Sequence, residues 1–90
     1  MLAPAVVRLP PLLKALFPDA EPVVIIEAET VEDVMNGLEA RWPGMRDRLC
    51  DTTPAIRRHI SVFVEGKRAR LDTRLDPGAD VYILTAISGG

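Results

Sequence analysis

Few side chains in this sequence are typed and spaced for chemistry. His59 is the only histidine. No nucleophile is paired with it, so it reads as the start of a strand rather than part of a catalytic triad. Cys50 is the only cysteine. One thiol cannot close an internal disulfide, or by itself hold zinc or an iron–sulfur cluster. It reads as a packing residue, the alternative being a thiol that bonds a partner's thiol. Glu32, Asp33 and Glu39 fall on a helix, where the dipole and solvation explain them better than general acid–base work does. There is no phosphate loop and no dinucleotide fingerprint. What remains is the end, Ile87-Ser88-Gly89-Gly90. Glycine has no Cβ, so backbone there can approach another backbone or a ligand closely, and the Gly90 carboxylate is unhindered. The alternative is a frayed terminus. Glycine makes up about 7% of average sequence, so two final glycines arise in roughly one chain in 200, too often to decide the matter alone.

Composition narrows the classes. Ninety residues, 48% hydrophobic and 27% charged, make one globular domain. A net charge of −2 argues against nucleic acid or an anionic membrane as the main partner. Residues 1–45 carry seven acids and three bases, and residues 46–90 carry six acids and eight bases. Arg57, Arg58, Lys67, Arg68 and Arg70 are either a solvated face or a surface that helps dock an acidic partner. The apolar start, MLAPAVVRLPPLLKALF, is broken by prolines and has neither the continuous core of a signal peptide nor the length of a membrane span. With a single cysteine, the expected compartment is the cytoplasm.

The elements that would carry the terminus can be read in order. Val6–Leu9 is a short strand ended by Pro10-Pro11, and Leu12–Phe17 is a connecting turn or short helical piece. Val23–Ile26 is a β-branched strand. Thr30 can cap a helix whose apolar stripe is Val31, Val34, Met35, Leu38 and Trp42, and Pro43-Gly44 ends it. Met45–Leu49 adds a turn, and 51–58 is a loop. Ile60–Val64 alternates as a third strand. Lys67–Leu71 returns as a short edge strand after Glu65-Gly66. Asp76-Pro77-Gly78 turns the chain into a last strand, Val81–Ala86. This order predicts an α+β layer with one helix on one sheet face and the other face open.

Alternation also assigns side chains to faces. Ile60, Val62, Val64, Val81 and Ile83 should point to the helix, and Phe63, Tyr82 and Leu84 away from it. If the third and last strands are neighbours, those three outward residues form an apolar docking patch beside the tail. The alternatives are scattered surface hydrophobes, or a face covered by residues 43–58.

Three segments carry a family resemblance: Thr30-Val31-Glu32-Asp33-Val34, His59–Gly66 (HISVFVEG), and Asp76–Gly90 (DPGADVYILTAISGG). Together they resemble the MoaD/ThiS family of ubiquitin-like sulfur carriers. Thr85 stands where many relatives carry proline, and Glu65 where they carry asparagine. The length of Pro43–Arg58 looks most like the cysteine-biosynthesis carriers of that family. The resemblance implies a β-grasp fold with a mixed sheet of four to five strands and one main helix packed on one face. The domain would span 1–86, with 87–90 a flexible tail. It implies a carrier rather than an enzyme. An E1-like (MoeB/ThiF-type) enzyme would adenylate Gly90 with ATP, and Ile87, Ser88 and Gly89 would thread its channel. A sulfur donor protein would then leave a covalent thiocarboxylate on Gly90, for delivery to a sulfur-accepting biosynthetic enzyme. No cofactor or metal would be bound, and the free protein would be monomeric. The remaining readings are the small subunit of molybdopterin synthase, thiamin thiazole sulfur delivery, a protein modifier conjugated through Gly90, and an interaction domain with an idle tail.

Overall fold

The computed structural model describes residues 3–85. The assignments made to Ile87, Ser88, Gly89 and Gly90 lie outside these residues. The described chain runs β1 (Ala5–Arg8), α1 (Pro11–Leu16), β2 (Val23–Ile26), α2 (Val31–Arg41), α3 (Met45–Leu49), β3 (Ile60–Val64), β4 (Lys67–Arg68) and β5 (Asp80–Thr85). One mixed five-stranded sheet forms in the order β2-β1-β5-β3-β4. β1 pairs antiparallel with β2 and parallel with β5, while β3 pairs antiparallel with β5 and with β4. This is the expected β-grasp arrangement, with the last strand at the centre.

Local chemistry accounts for the main helix. The Thr30 hydroxyl accepts from the Asp33 N–H at 3.2 Å, and the Asp33 carboxylate accepts from the Glu29 N–H at 3.0 Å. Two donors at the helix start are thereby satisfied reciprocally. The next two, Val31 and Glu32 N–H, donate to the carbonyls of Thr73 (3.0 Å) and Leu71 (2.9 Å). That second pair explains why β4 is shorter than expected. After Arg68 the chain turns inward, burying Ala69 and Leu71, so that its carbonyls can meet the helix. β1 is shifted by one residue from the expected Val6–Leu9, because Ala5 is buried and pairs with Ile26. α2 stops at Arg41, and Trp42 caps it with its N–H on Leu38 O at 2.8 Å. Trp42 is therefore half-buried against the core rather than inside it.

Val31, Val34, Met35 and Leu38 of α2 face Val7, Val24, Ile26, Val62, Val81 and Ile83 of the sheet, all of them buried. Each fully buried side chain of this size contributes about 1.5–3 kcal/mol relative to exposure. Met45 and Leu49 of α3 close the core at the end of α2. Glu39, read from sequence as a solvated helix acid, has a structural role here. Its carboxylate accepts from the N–H groups of Gly44 (3.0 and 3.1 Å) and Arg46 (3.0 Å) and so joins α2 to α3. Gly44 makes that turn at φ 98°, where a side chain would be strained. Arg46 ties the same two helices through Glu32 at 2.6 Å and Asn36 at 3.0 Å.

Gly37 marks the closest approach of helix to sheet. A Cβ there would sit 2.7 Å from Cγ2 of Ile26. Ile26 is a buried, β-branched side chain with little room to rotate. Gly37→Ala should therefore lower stability by about 1–2 kcal/mol, overpacking outweighing the helix propensity gained. Urea denaturation checks this; an alanine variant at least as stable as the parent contradicts it.

Candidate functional site

Because the side-chain period of a strand is two, β5 serves two faces at once. Val81 and Ile83 are buried under α2, whereas Tyr82 and Leu84 are 42% and 46% exposed. β3 behaves alike, with Ile60 and Val62 buried and Phe63 half-buried on the far side. Phe63 sits directly opposite Tyr82, and Ser61 opposite Leu84. The structure thus brings Phe63, Tyr82 and Leu84 together as expected. Tyr82 and Leu84 stay exposed, so residues 43–58 do not cover them, and α3 within that segment packs on α2.

The patch is wider than the sequence suggested. Val23 and Ile25 of β2 are 41% and 47% exposed and lie opposite Arg8 and Val6. Arg8 is opposite Tyr82 in turn. One row therefore crosses the sheet as Val23, Arg8, Tyr82, Phe63, with Ile25 and Val6 alongside. Val23-Val24-Ile25-Ile26 is uniformly apolar, so its pattern names no outward face. Only the pairing with β1 does so.

Arg8 gives this apolar surface a central cation. Its guanidinium lies 5.1 Å from the Tyr82 ring centroid and 3.4 Å from the Asp80 carboxylate. Stacking of this kind holds an aromatic ring in one orientation. Contiguous apolar surface around an anchored aromatic is the usual composition of a protein interface.

The remaining chemical groups do not form a second centre. His59 is exposed, just ahead of β3, and Cys50 is buried. Among the described residues, no cluster of histidine, cysteine or carboxylates could hold a metal, and no helix is long and apolar enough to cross a membrane. Cys50 is buried, and burial pushes its thiol pKa up, opposed by the nearby Arg46 charge. Asp51, beside it, is pulled below the usual carboxylate range by hydrogen bonds from the Thr53 hydroxyl and N–H, with a further one from the Ala55 N–H. This carboxylate organises the loop ahead of β3.

The comparisons with known proteins agree with this geometry. The ThiS family model matches residues 8–90. Among solved structures, a chain of the Amycolatopsis orientalis BexX/CysO complex is similar at TM-score 0.84 and 24% identity, with 96% of this chain and 99% of that one covered. CysO from Mycobacterium tuberculosis is similar at TM-score 0.80 and 25% identity, covering 92% and 99%. SAMP1 from Haloferax volcanii is similar at TM-score 0.81 and 21% identity, covering 98% and 100%. Searched by sequence, the chain matches no curated protein.

Folding raises the Cys50 pKa, so the native state holds that proton more tightly than the unfolded chain. The corresponding stability is full below the ordinary thiol pKa and is lost as pH climbs through the raised value. Between neutral and alkaline pH, the wild-type urea midpoint should fall further than that of Cys50→Ala. Parallel pH profiles for the two proteins contradict this.

Proposed function

This chain belongs to the ThiS family, and from that premise we propose that it carries sulfur on the carboxylate of Gly90. In this reading the terminal carboxylate attacks the α-phosphate of ATP held by an E1-like partner, and pyrophosphate leaves. Hydrosulfide, sulfur at the sulfide level released by a donor protein, then attacks the acyl-adenylate carbonyl and expels AMP, its proton passing to solvent. The C–O bond to the phosphate breaks, a C–S bond forms, and Gly90 ends as a thiocarboxylate. Activation is needed because oxide is a poor leaving group from a carboxylate, whereas AMP is a good one. The thiocarboxylate sulfur is itself nucleophilic and can pass to an acceptor in cofactor or metabolite biosynthesis.

The observation that carries this reading is the uncovered sheet face on the strand that leads to Gly90. Tyr82 is paired on both edges, with Arg8 and Phe63, and Leu84 with Ser61, so both are held in place while a partner reads them. A partner docked on Val23, Ile25, Phe63, Tyr82 and Leu84 stands beside the end of β5, the strand that precedes Gly90 in the sequence. Glycine at the last two positions suits a narrow channel, since neither carries a Cβ. The chain supplies the acyl group and the docking surface, and its partner supplies the ATP site. Ile87, Ser88 and Gly89 are assigned to threading.

Two variants test the two halves of this proposal. Gly90→Ala, or one residue added after Gly90, should abolish ATP–pyrophosphate exchange by the cognate activating enzyme and leave the melting temperature unchanged. Wild-type exchange with the extended chain contradicts the terminal chemistry. The double variant Tyr82→Ala, Leu84→Ala should weaken binding to that enzyme about tenfold or more. Its folding stability should change less than its binding, since both side chains are exposed. Unchanged affinity contradicts the docking face.

A further inference from the structure

Of the five basic residues grouped by the sequence, two stand in a strand, and the register of β4 sends them to opposite faces. Lys67 pairs with Val64, which packs against the core, and Arg68 pairs with Phe63, on the outer face. One row of the ladder therefore crosses all five strands as Val23, Arg8, Tyr82, Phe63, Arg68. Two arginines bracket the aromatic pair at its middle, their Cα positions about 14 Å apart, three strand spacings of a sheet. We propose, resting on the docking reading above, that Arg8 and Arg68 read two carboxylates on the activating partner, set on either side of the apolar surface that packs on Tyr82 and Phe63.

Neither guanidinium is saturated within the chain. Arg8 meets Asp80 through one nitrogen at 3.4 Å, and its side chain remains 39% exposed. Its Nε is buried with no hydrogen-bond partner among the described residues. Arg68 is exposed and donates to Ser61 Oγ at 3.2 Å, and it pairs with no carboxylate among the described residues. Each guanidinium carries five donors, so open ones remain on both sides of the aromatic pair. A partner that closes on the row strips water from both charges. Apolar surface alone would leave them uncompensated, whereas a carboxylate facing each one offsets the desolvation with charge-assisted hydrogen bonds.

The chain's own acids do not fill that role. Asp80 lies one ladder step from the row, opposite Val6, and reaches Arg8 only. Glu65, just past β3, accepts from the Asp80 N–H at 3.0 Å. On the other side of the row stand Leu84 and Ser61, which carry no charge. The row is thus cationic at two points and uncharged between them, and acids at matching spacing on a partner complement it. Val6, Val23, Ile25 and Leu84 around it are aliphatic, and the net charge is −2. A protein surface therefore suits this face better than the polyanionic backbone of a nucleic acid.

The test is calorimetric titration of the full chain into its cognate activating enzyme at low and at high salt. At low salt, Arg8→Gln and Arg68→Gln should each weaken binding about fivefold or more, and the double variant should lose most of the wild type's salt dependence. Arg8→Lys with Arg68→Lys keeps both charges and should lose less. Arg68→Glu should weaken binding about tenfold or more, while Lys67→Glu, the same charge change on the opposite face, stays within about twofold. If Arg8→Gln alters the native amide spectrum around Tyr82, the exposed Arg68 variants decide. Glutamine variants that bind like the wild type, an undiminished salt dependence, equal losses from Arg68→Glu and Lys67→Glu, or displacement of the enzyme by an oligouridylate each overturn the proposal. Tyr82→Ala with Leu84→Ala in the same titration separates the two failures. If that variant binds weakly while the arginine variants bind fully, the docking face stands and the acid pair falls; if it too binds fully, both fall.

Discussion

Everything in this molecule depends on β5 being paired on both edges. It lies parallel to β1 and antiparallel to β3, and those two strands do not touch each other. Without β5 the sheet divides into a β1–β2 hairpin and a β3–β4 hairpin, neither with enough covered surface to stand alone. The register is equally constrained. A slip of one residue would drive Tyr82 and Leu84 under α2 and expose Val81 and Ile83, reversing every side chain on the strand. The strand that leads into the C-terminal residues is therefore also the most firmly placed element of the fold.

That constraint leaves two surfaces of different chemistry. One face of β5 packs on the helix, and the opposite face, with its neighbours on β1, β2 and β3, is apolar around the cation of Arg8, with Arg68 of β4 at its far end opposite Phe63. Beyond the β3 edge the surface becomes cationic, because the chain after Arg68 turns inward to satisfy the start of α2 instead of extending the sheet. The same hydrogen bonds from Val31 and Glu32 that complete the helix cap thus keep β4 to two residues. The loop before β3 meets that edge where the Ile60 N–H donates to the Arg57 carbonyl at 2.9 Å, and within the loop the Asp51 carboxylate gathers Thr53 and Ala55.

How much of this could be read beforehand follows from where the information resides. Ile60–Val64 and Val81–Thr85 alternate, so their inward and outward residues were legible, and Phe63, Tyr82 and Leu84 lie where that pattern places them. Val23–Ile26 is apolar at every position, so Val23 and Ile25 join the patch only through the register with β1. Glu39 could not be assigned from spacing, because its partners at Gly44 and Arg46 come near only once α3 folds back. The short β4 reflects a tertiary demand of the α2 cap that local pattern does not carry. The terminal chemistry came from the motif and the family resemblance, and it rests on residues beyond the described ones.

The central claim concerns one atom, and one measurement reads it. The protein ending at Gly90, incubated with ATP, a sulfide source and its cognate activating enzyme, is weighed intact by mass spectrometry and its C-terminal peptide sequenced. The account predicts one oxygen replaced by one sulfur, located on Gly90 and absent when ATP is omitted. An unchanged mass, or a ladder of proteins joined to lysines in place of the sulfur-bearing species, would contradict it.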